Sequence, residues 1–236
     1  MGPSDNAYPA LISLAVHELR TPASIVGGYL RMLHKDQEPP MSERQRRMID
    51  EAEKSCARLV AMVAELSEIG KLDSGVLKLA QQPLDLFALI EQVADLVHEA
   101  SDRDVKLKLS GPSDGARLTG DANRLRAAID GIFRAILREK AGPSTVIAER
   151  RLETRDGREC AVVIVAENGS VQEAYGREPA PFDEGRGGLG LALPLARRVI
   201  EGHGGRLWAP ANASGIADSP DPLARGSAIL LFPLGS

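Results

Sequence analysis

Between Ile49 and Leu66 the apolar residues Ile49, Ala52, Cys56, Leu59, Val63 and Leu66 follow one another at steps of three and four. A mean step of about 3.5 residues is a coiled-coil seam, and a seam of that kind requires a facing helix. Ser42 stands as an N-cap with Gln45 at the capping-box position, so this helix is expected to run from there to about Lys71. The facing helix is the segment from about Tyr8 to Lys35, and Asp36-Gln37-Glu38-Pro39-Pro40 breaks the pattern between the two. In the first helix Leu11, Ala15, Leu19, Val26 and Leu33 recur at steps of four and seven. Pro22 lies inside it, removes one backbone hydrogen bond and should kink or loosen the turn after His17. Two such helices make a hairpin with too little core of its own. A four-helix bundle built by two chains is the simplest solution, and a monomeric hairpin packed on the rest of the chain is the other.

Within the first helix, Ser13 to Pro22 reads Ser-Leu-Ala-Val-His-Glu-Leu-Arg-Thr-Pro. Residues three and four apart share a helix face, so Thr21 lies one turn from both His17 and Glu18. At about 100° per residue, His17 falls roughly 200° from Ala15, away from the apolar stripe and towards water. An exposed imidazole beside a carboxylate is equipped for proton-coupled nucleophilic chemistry. Taken alone, it is also what an ordinary surface histidine looks like.

Beyond Leu72 to Pro83, with Asp73-Ser74-Gly75 as a turn, the pattern changes to mixed helix and strand. Leu86, Phe87, Leu89, Ile90, Val93, Leu96 and Val97 mark an amphipathic helix, and Val105, Leu107 and Leu109 a half-buried strand. A second helix starts near Asp121 and carries Leu125, Ala128, Ile129, Ile132, Phe133, Ile136 and Leu137. Thr145 to Glu153 and Cys160 to Glu167 read as strands joined through Asp156-Gly157, a hairpin turn signal. A polar loop is expected from Asn168 to Gly188, a helix from about Leu189 to Glu201, and strands at Arg206 to Ala209 and near Ser227 to Phe232. The Pro/Asp/Ser/Ala-rich stretch Ala211 to Arg225 joins these last two strands as a long hairpin connection. The whole reads as α+β: a helical hairpin over residues 1–80, then an α/β sandwich over 81–236 with helices on one face.

A net charge of −4 gives no basic field for nucleic acid, and two distant cysteines, Cys56 and Cys160, make neither a disulfide framework nor a metal site. No apolar run approaches the roughly 20 residues of a membrane span and no signal peptide is visible, so a cytoplasmic chain is expected.

Gly185-Arg186-Gly187-Gly188-Leu189-Gly190-Leu191 opens a helix. Glycines let a backbone approach a ligand closely, and a helix N-terminus presents N–H groups to a phosphate, although a tight loop or close helix packing reads the same way. Here the chain resembles a family. His17-Glu18-Leu19-Arg20-Thr21-Pro22 is similar to the phosphoacceptor box of sensor histidine kinases. Gly187 to Ala209 looks like the family's second glycine box with its following helix and strand, and Gly226 to Leu234 like its closing strand. The resemblance implies a dimerisation and phosphotransfer hairpin followed by an ATP-binding domain of the Bergerat (gyrase-like) fold. It implies His17 as phosphoacceptor, Glu18 as proton acceptor and Thr21 as the residue that orients water during dephosphorylation of the partner regulator. Glu167 and Gly169 would meet the adenine, and Gly187, Gly188 and Gly190 would border the nucleotide phosphates. ATP and magnesium are the implied cofactors; a second copy of the chain and a response-regulator receiver domain are the implied partners.

Departures from the family pattern lie in the nucleotide domain. Gly131 and Ala135 stand where two asparagines are usual, the second a magnesium ligand, and Arg138 stands where a lysine is typical. Alanine offers no oxygen to a hard cation, which leaves Glu139 as a neighbouring carboxylate. Glu167 replaces an aspartate, and Val171 replaces a second glycine whose positive φ a β-branched residue resists. Only Phe182 remains of a phenylalanine-containing box. Two readings follow: an ATP-dependent kinase of His17, or a histidine phosphotransferase or scaffold that does not use ATP productively. Elsewhere His34 is read as a helix C-cap or surface group, His98 as structural, His203 as packing at a helix exit, Trp208 as a core anchor and Arg197-Arg198 as a solvated helix face.

Overall fold

The computed structural model describes residues 7–35, 40–98, 101–213 and 221–235. They divide into two compact units, Met1–Lys78 and Leu79–Ser236. Among the described residues no helix is long and apolar enough to cross a membrane.

The first unit is a hairpin of α1 (Ala7–Lys35) and α2 (Glu43–Asp73). Ser42 and Gln45 form the full capping box at the start of α2. The break at residues 36–39 lies outside the described residues, as do the side chains of Leu11 and Ser13. α1 continues through Pro22 as one helix. Its contact with α2 is not the stripe expected from periodicity. Ile12 and Val16 pack with Val63 and Leu66. One and a half turns past Pro22, Gly27 lies so close to α2 that a Cβ there would stand 3.2 Å from Cys56 Sγ. That thiol donates to the Ala23 carbonyl at 3.2 Å. The intramolecular seam thus uses small residues, Ala23 and Gly27, which hydropathy passes over. The heptad-spaced Leu19, Val26 and Leu33 remain half exposed, as does Leu59 on α2, together with Ile25, Tyr29 and Met32.

The second unit runs β1 (Gln82–Asp85), α3 (Leu86–Leu96), β2 (Val105–Ser110), β3 (Arg117–Gly120), α4 (Ala122–Arg138), β4 (Ser144–Arg155), β5 (Arg158–Glu167), α5 (Val171–Gly176), β6 (Pro179–Ala180), α6 (Ala192–Gly202), β7 (Arg206–Pro210), α7 (Pro222–Arg225) and β8 (Ala228–Pro233). Six strands form one sheet in the order β2-β4-β5-β8-β7-β6, and β1 pairs with β3 apart from it. β2 runs parallel to β4; the other neighbours are antiparallel. The β4–β5 hairpin turns on Asp156 and Gly157, both at positive φ (50° and 74°), as an Asp-Gly pair should.

β5 sets the layering. Cys160 to Ala166 is buried on both faces, so the sheet needs cover on each side. α3, α4 and α6 make one layer. Val162, Ile164 and Ala166 point the other way and cluster with Val171 and Ala174 of α5, Trp208 and Ile229. Helical cover is therefore not confined to one face, and the expected polar loop 168–188 contains α5 because three apolar residues of β5 would otherwise meet water. Trp208 anchors that core. His98 lies past the end of α3 and is exposed, not structural. His203 closes α6 as expected: Nδ1 lies 2.6 Å from the Val199 carbonyl, and Nε2 accepts from the Asp121 amide at 2.8 Å. Arg197 does not face solvent. It pairs with Glu184 and Glu201 and donates to the Phe182 carbonyl, bracketing α6 to the loop before it.

Arg150 is buried on β4 and donates to the carbonyls of Phe87, Ser110 and Gly111. Gly111 has φ 83°, and a Cβ there would sit 2.0 Å from the Arg150 carbonyl oxygen. Gly111→Ala should destabilise this unit by about 2 kcal/mol or more. Gly142→Ala, where a Cβ meets nothing within 4 Å, should stay within about 0.5 kcal/mol in the same urea titration.

Candidate functional site

His17 stands on the outer face of α1 because its neighbour Val16 is turned inward against α2. The His17 side chain is 80% exposed and that of Glu18 70%, with His17 Nδ1 3.4 Å from Glu18 Oε1. Helix close-packing beneath them is tight: a Cβ on Gly70 would lie 3.1 Å from Ile12. The backbone under the imidazole is therefore held while its ring is free to meet a reactant. In the tautomer that carries its proton on Nδ1, towards the carboxylate, the lone pair of Nε2 faces solvent. Thr21 is exposed one turn further along α1.

The glycine-rich stretch belongs to the second unit. Gly187, Gly188 and Gly190 have φ of 69°, 61° and 67°, so all three need glycine. Gly187 is laid directly on α4, where a Cβ would be 3.0 Å from Ala135 Cα. Its carbonyl accepts from Arg138 at 3.0 Å and its amide donates to Glu139 Oε1 at 3.3 Å. The other Glu139 oxygen pairs with Arg225 at 3.0 Å. Arg186 is only 4% exposed. Its guanidinium stacks on Phe182 at 4.1 Å and donates to the carbonyls of Asp183, Ala224, Arg225 and Ser227. Burial pulls its pKa down from the usual arginine value, against the pull of Asp183 and Glu139. At the end of β5, Glu167 meets Lys140 Nζ at 3.1 Å and Gly169 turns the chain with φ 87°.

Residues 10–75 match the model of the His Kinase A (phospho-acceptor) domain. Over 82% of its length the chain is 28% identical to the alginate biosynthesis sensor protein KinB of Pseudomonas aeruginosa, of which it covers 33%. Residues 10–75 thus match a phospho-acceptor domain, and the chain as a whole is similar to sensor histidine kinases. It is also 27% identical, over 86% of its length, to the probable sensor histidine kinase TcrY of Mycobacterium tuberculosis, covering 43% of it. The chain thus spans less than half the length of either relative. Its fold matches full-length ShkA in complex with AMPPNP with a TM-score of 0.64 at 19% identity, over 96% of this chain and 45% of that one. Histidine kinase ThkA, solved with the response regulator protein TrrA, matches with a TM-score of 0.57 at 19% identity, over 96% and 61%.

Against this family's pattern, the structure brings Gly187, Gly188 and Gly190 to the start of α6 and sets Gly187 beside Ala135. Val171 is not where a glycine is needed. It opens α5, buried, without a positive φ, and the left-handed residue of that turn is Gly169. The two α4 positions that the family pattern would use for magnesium do not fit it: Gly131 and Ala135 are buried and have no side-chain oxygen, and both oxygens of Glu139, just past α4, are engaged. Sequence reading missed Arg186 and Ser227. Ser227 Oγ is buried without a hydrogen-bond partner beside the carbonyl that Arg186 uses. An arginine flanked by glycines was the available signal for the first; nothing marked the second. Arg186→Gln should free the glycine stretch, raising amide hydrogen exchange across residues 185–190 by about tenfold or more, as measured by mass spectrometry. Unchanged protection would show that the loop is held by something else.

Proposed function

We propose that the chain is the phosphotransfer and ATP-binding portion of a two-component histidine kinase, with His17 as the group that is phosphorylated. The observation that carries this is the exposed His17–Glu18 pair on a backbone held by Ile12 and Val16. Nε2 attacks the γ-phosphorus of ATP; the N–P bond forms as the bond to the bridging oxygen of ADP breaks. The proton on Nδ1 passes to, or is held by, Glu18, which stabilises the imidazolium as it develops. The same phosphoryl group then moves to an aspartate of a receiver domain. The response regulator bound by ThkA supports that partner class. Thr21, one turn away, is suited to orient water in the reverse, dephosphorylating direction. Glu167, Gly169, Gly187, Gly188 and Gly190 are the residues proposed to hold ATP, a reading supported by the likeness to AMPPNP-bound ShkA. No step is assigned to magnesium, since Gly131 and Ala135 offer it no ligand and both oxygens of Glu139 are engaged.

The half-exposed Leu19, Val26 and Leu33 form the seam proposed for a second copy, giving a dimeric four-helix bundle. A cytoplasmic place for this portion fits the proposed chemistry. Val26→Glu should shift the chain towards monomer in sedimentation velocity at micromolar concentration, while an unchanged sedimentation coefficient would reject this seam.

A second reading is favoured by the contact of Gly187 with Ala135. A chain whose glycine stretch stays docked there is a phosphotransferase or scaffold that takes its phosphate from a phosphorylated receiver. γ-Labelled ATP decides between them. The kinase reading expects label on the wild type, none on His17→Ala and about a hundredfold slower labelling of Glu18→Gln. Absence of label on the wild type, with no ATP binding by calorimetry, would leave the second reading.

A further inference from the structure

At the other end of the hairpin, His34 in the last turn of α1 faces Asp50 and Glu53 of α2. His34 Nδ1 lies 3.5 Å from Asp50 Oδ1 and 3.6 Å from Glu53 Oε2, and the three ligand atoms lie within 4.8 Å of one another. We propose that these residues bind one first-row divalent transition metal of the zinc type, clamping the end of α1 to α2.

Three observations converge on this. The two short separations exceed those of good N–H···O hydrogen bonds, about 2.7–3.2 Å. They approach the edge of a tetrahedral site, since metal–ligand bonds of about 2.0–2.1 Å put neighbouring ligand atoms about 3.3–3.4 Å apart. The two carboxylates also share one weak cationic partner. Asp50 and Glu53, one turn apart on the same face, both face His34, while the ammonium of nearby Lys54, which Asp50 reaches only at longer range, is bonded to Glu51 at 2.8 Å. A divalent ion would neutralise both at once. Finally, the donor set is one imidazole nitrogen and two carboxylate oxygens, which suits zinc and its neighbours and not magnesium, a cation that prefers an all-oxygen shell.

His34 and Asp50 are partly exposed, so water can reach the ion as a fourth ligand. Binding needs His34 neutral and both acids ionised, so protons are released and no electron moves. The site is independent of phosphotransfer: His34 is 17 residues beyond His17, about 25 Å along the helix. Its consequence is mechanical. The ion ties the two helices together close to their connection, in the same unit that carries the phosphoacceptor.

The test uses the full chain in a His17→Ala background, which removes the other exposed imidazole of the hairpin. Metal-free protein is titrated with Zn2+ by calorimetry, and with Co2+ to read the absorption of a low-coordinate site. One ion per chain is expected at micromolar affinity, at least about tenfold weaker after His34→Ala or after Asp50→Asn with Glu53→Gln. Magnesium in thousandfold excess should not compete. Because all three side chains are partly exposed, circular dichroism should show each variant folded. Binding unaffected by His34→Ala, or none below about 100 μM Zn2+, overturns the site whatever the outcome of the ATP labelling.

Discussion

Everything that α1 can do chemically depends on the packing of Ile12 and Val16 against Val63 and Leu66. A helix places successive residues about 100° apart, so burying Val16 commits His17 and Glu18 to water. Neither residue needs a pocket to be positioned; the hydrophobic contact behind them does that. The small residues further along, Ala23 and Gly27 against Cys56, keep the helices close past Pro22, so the backbone around the histidine is supported on both sides.

The second unit solves a different problem. Its glycine stretch must adopt left-handed geometry at three positions, which leaves it with little intrinsic order. Arg186 supplies that order by taking up four carbonyls and the face of Phe182. Among the described residues the buried cation has no carboxylate in direct contact and is held by backbone dipoles, which is why burial is the leading influence on its pKa. The same docking sets Gly187 on Ala135 and engages Arg138 and Glu139. A side chain larger than alanine at 135 would press on the loop, so Ala135 and the docked glycine belong together. The alanine at 135, where the resemblance would expect a metal ligand, therefore has a packing correlate in the chain itself.

Much of this was legible in the sequence. The Ser42–Gln45 capping box, the Asp156-Gly157 turn, the Asp121 start of α4 and the exposed His17 all follow from local rules, and local rules are what a single sequence carries. What failed did so for tertiary reasons. Within one chain, α1 meets α2 through Ala23 and Gly27, small residues that a hydropathy pattern passes over, and the stripe of Leu19, Val26 and Leu33 lies outside that contact. α5 was read as loop because six residues are too few for a period; the buried face of β5 requires it. Arg186 was passed over because its flanking glycines drew attention to the backbone and not to the side chain, and Val171 was misjudged because its φ belongs to a helix start, not to a glycine turn. The roles proposed for Glu18, Thr21, Glu167 and the glycines of the second unit rest on family likeness together with this geometry.

The central claim is that phosphate is carried on Nε2 of His17, with Nδ1 kept for Glu18. Peptide mapping followed by phosphorus NMR of the chain after incubation with ATP tests it most directly. The account predicts a single phosphohistidine in the peptide containing His17, substituted at Nε2. Phosphate on Nδ1, or on any other residue, would contradict it.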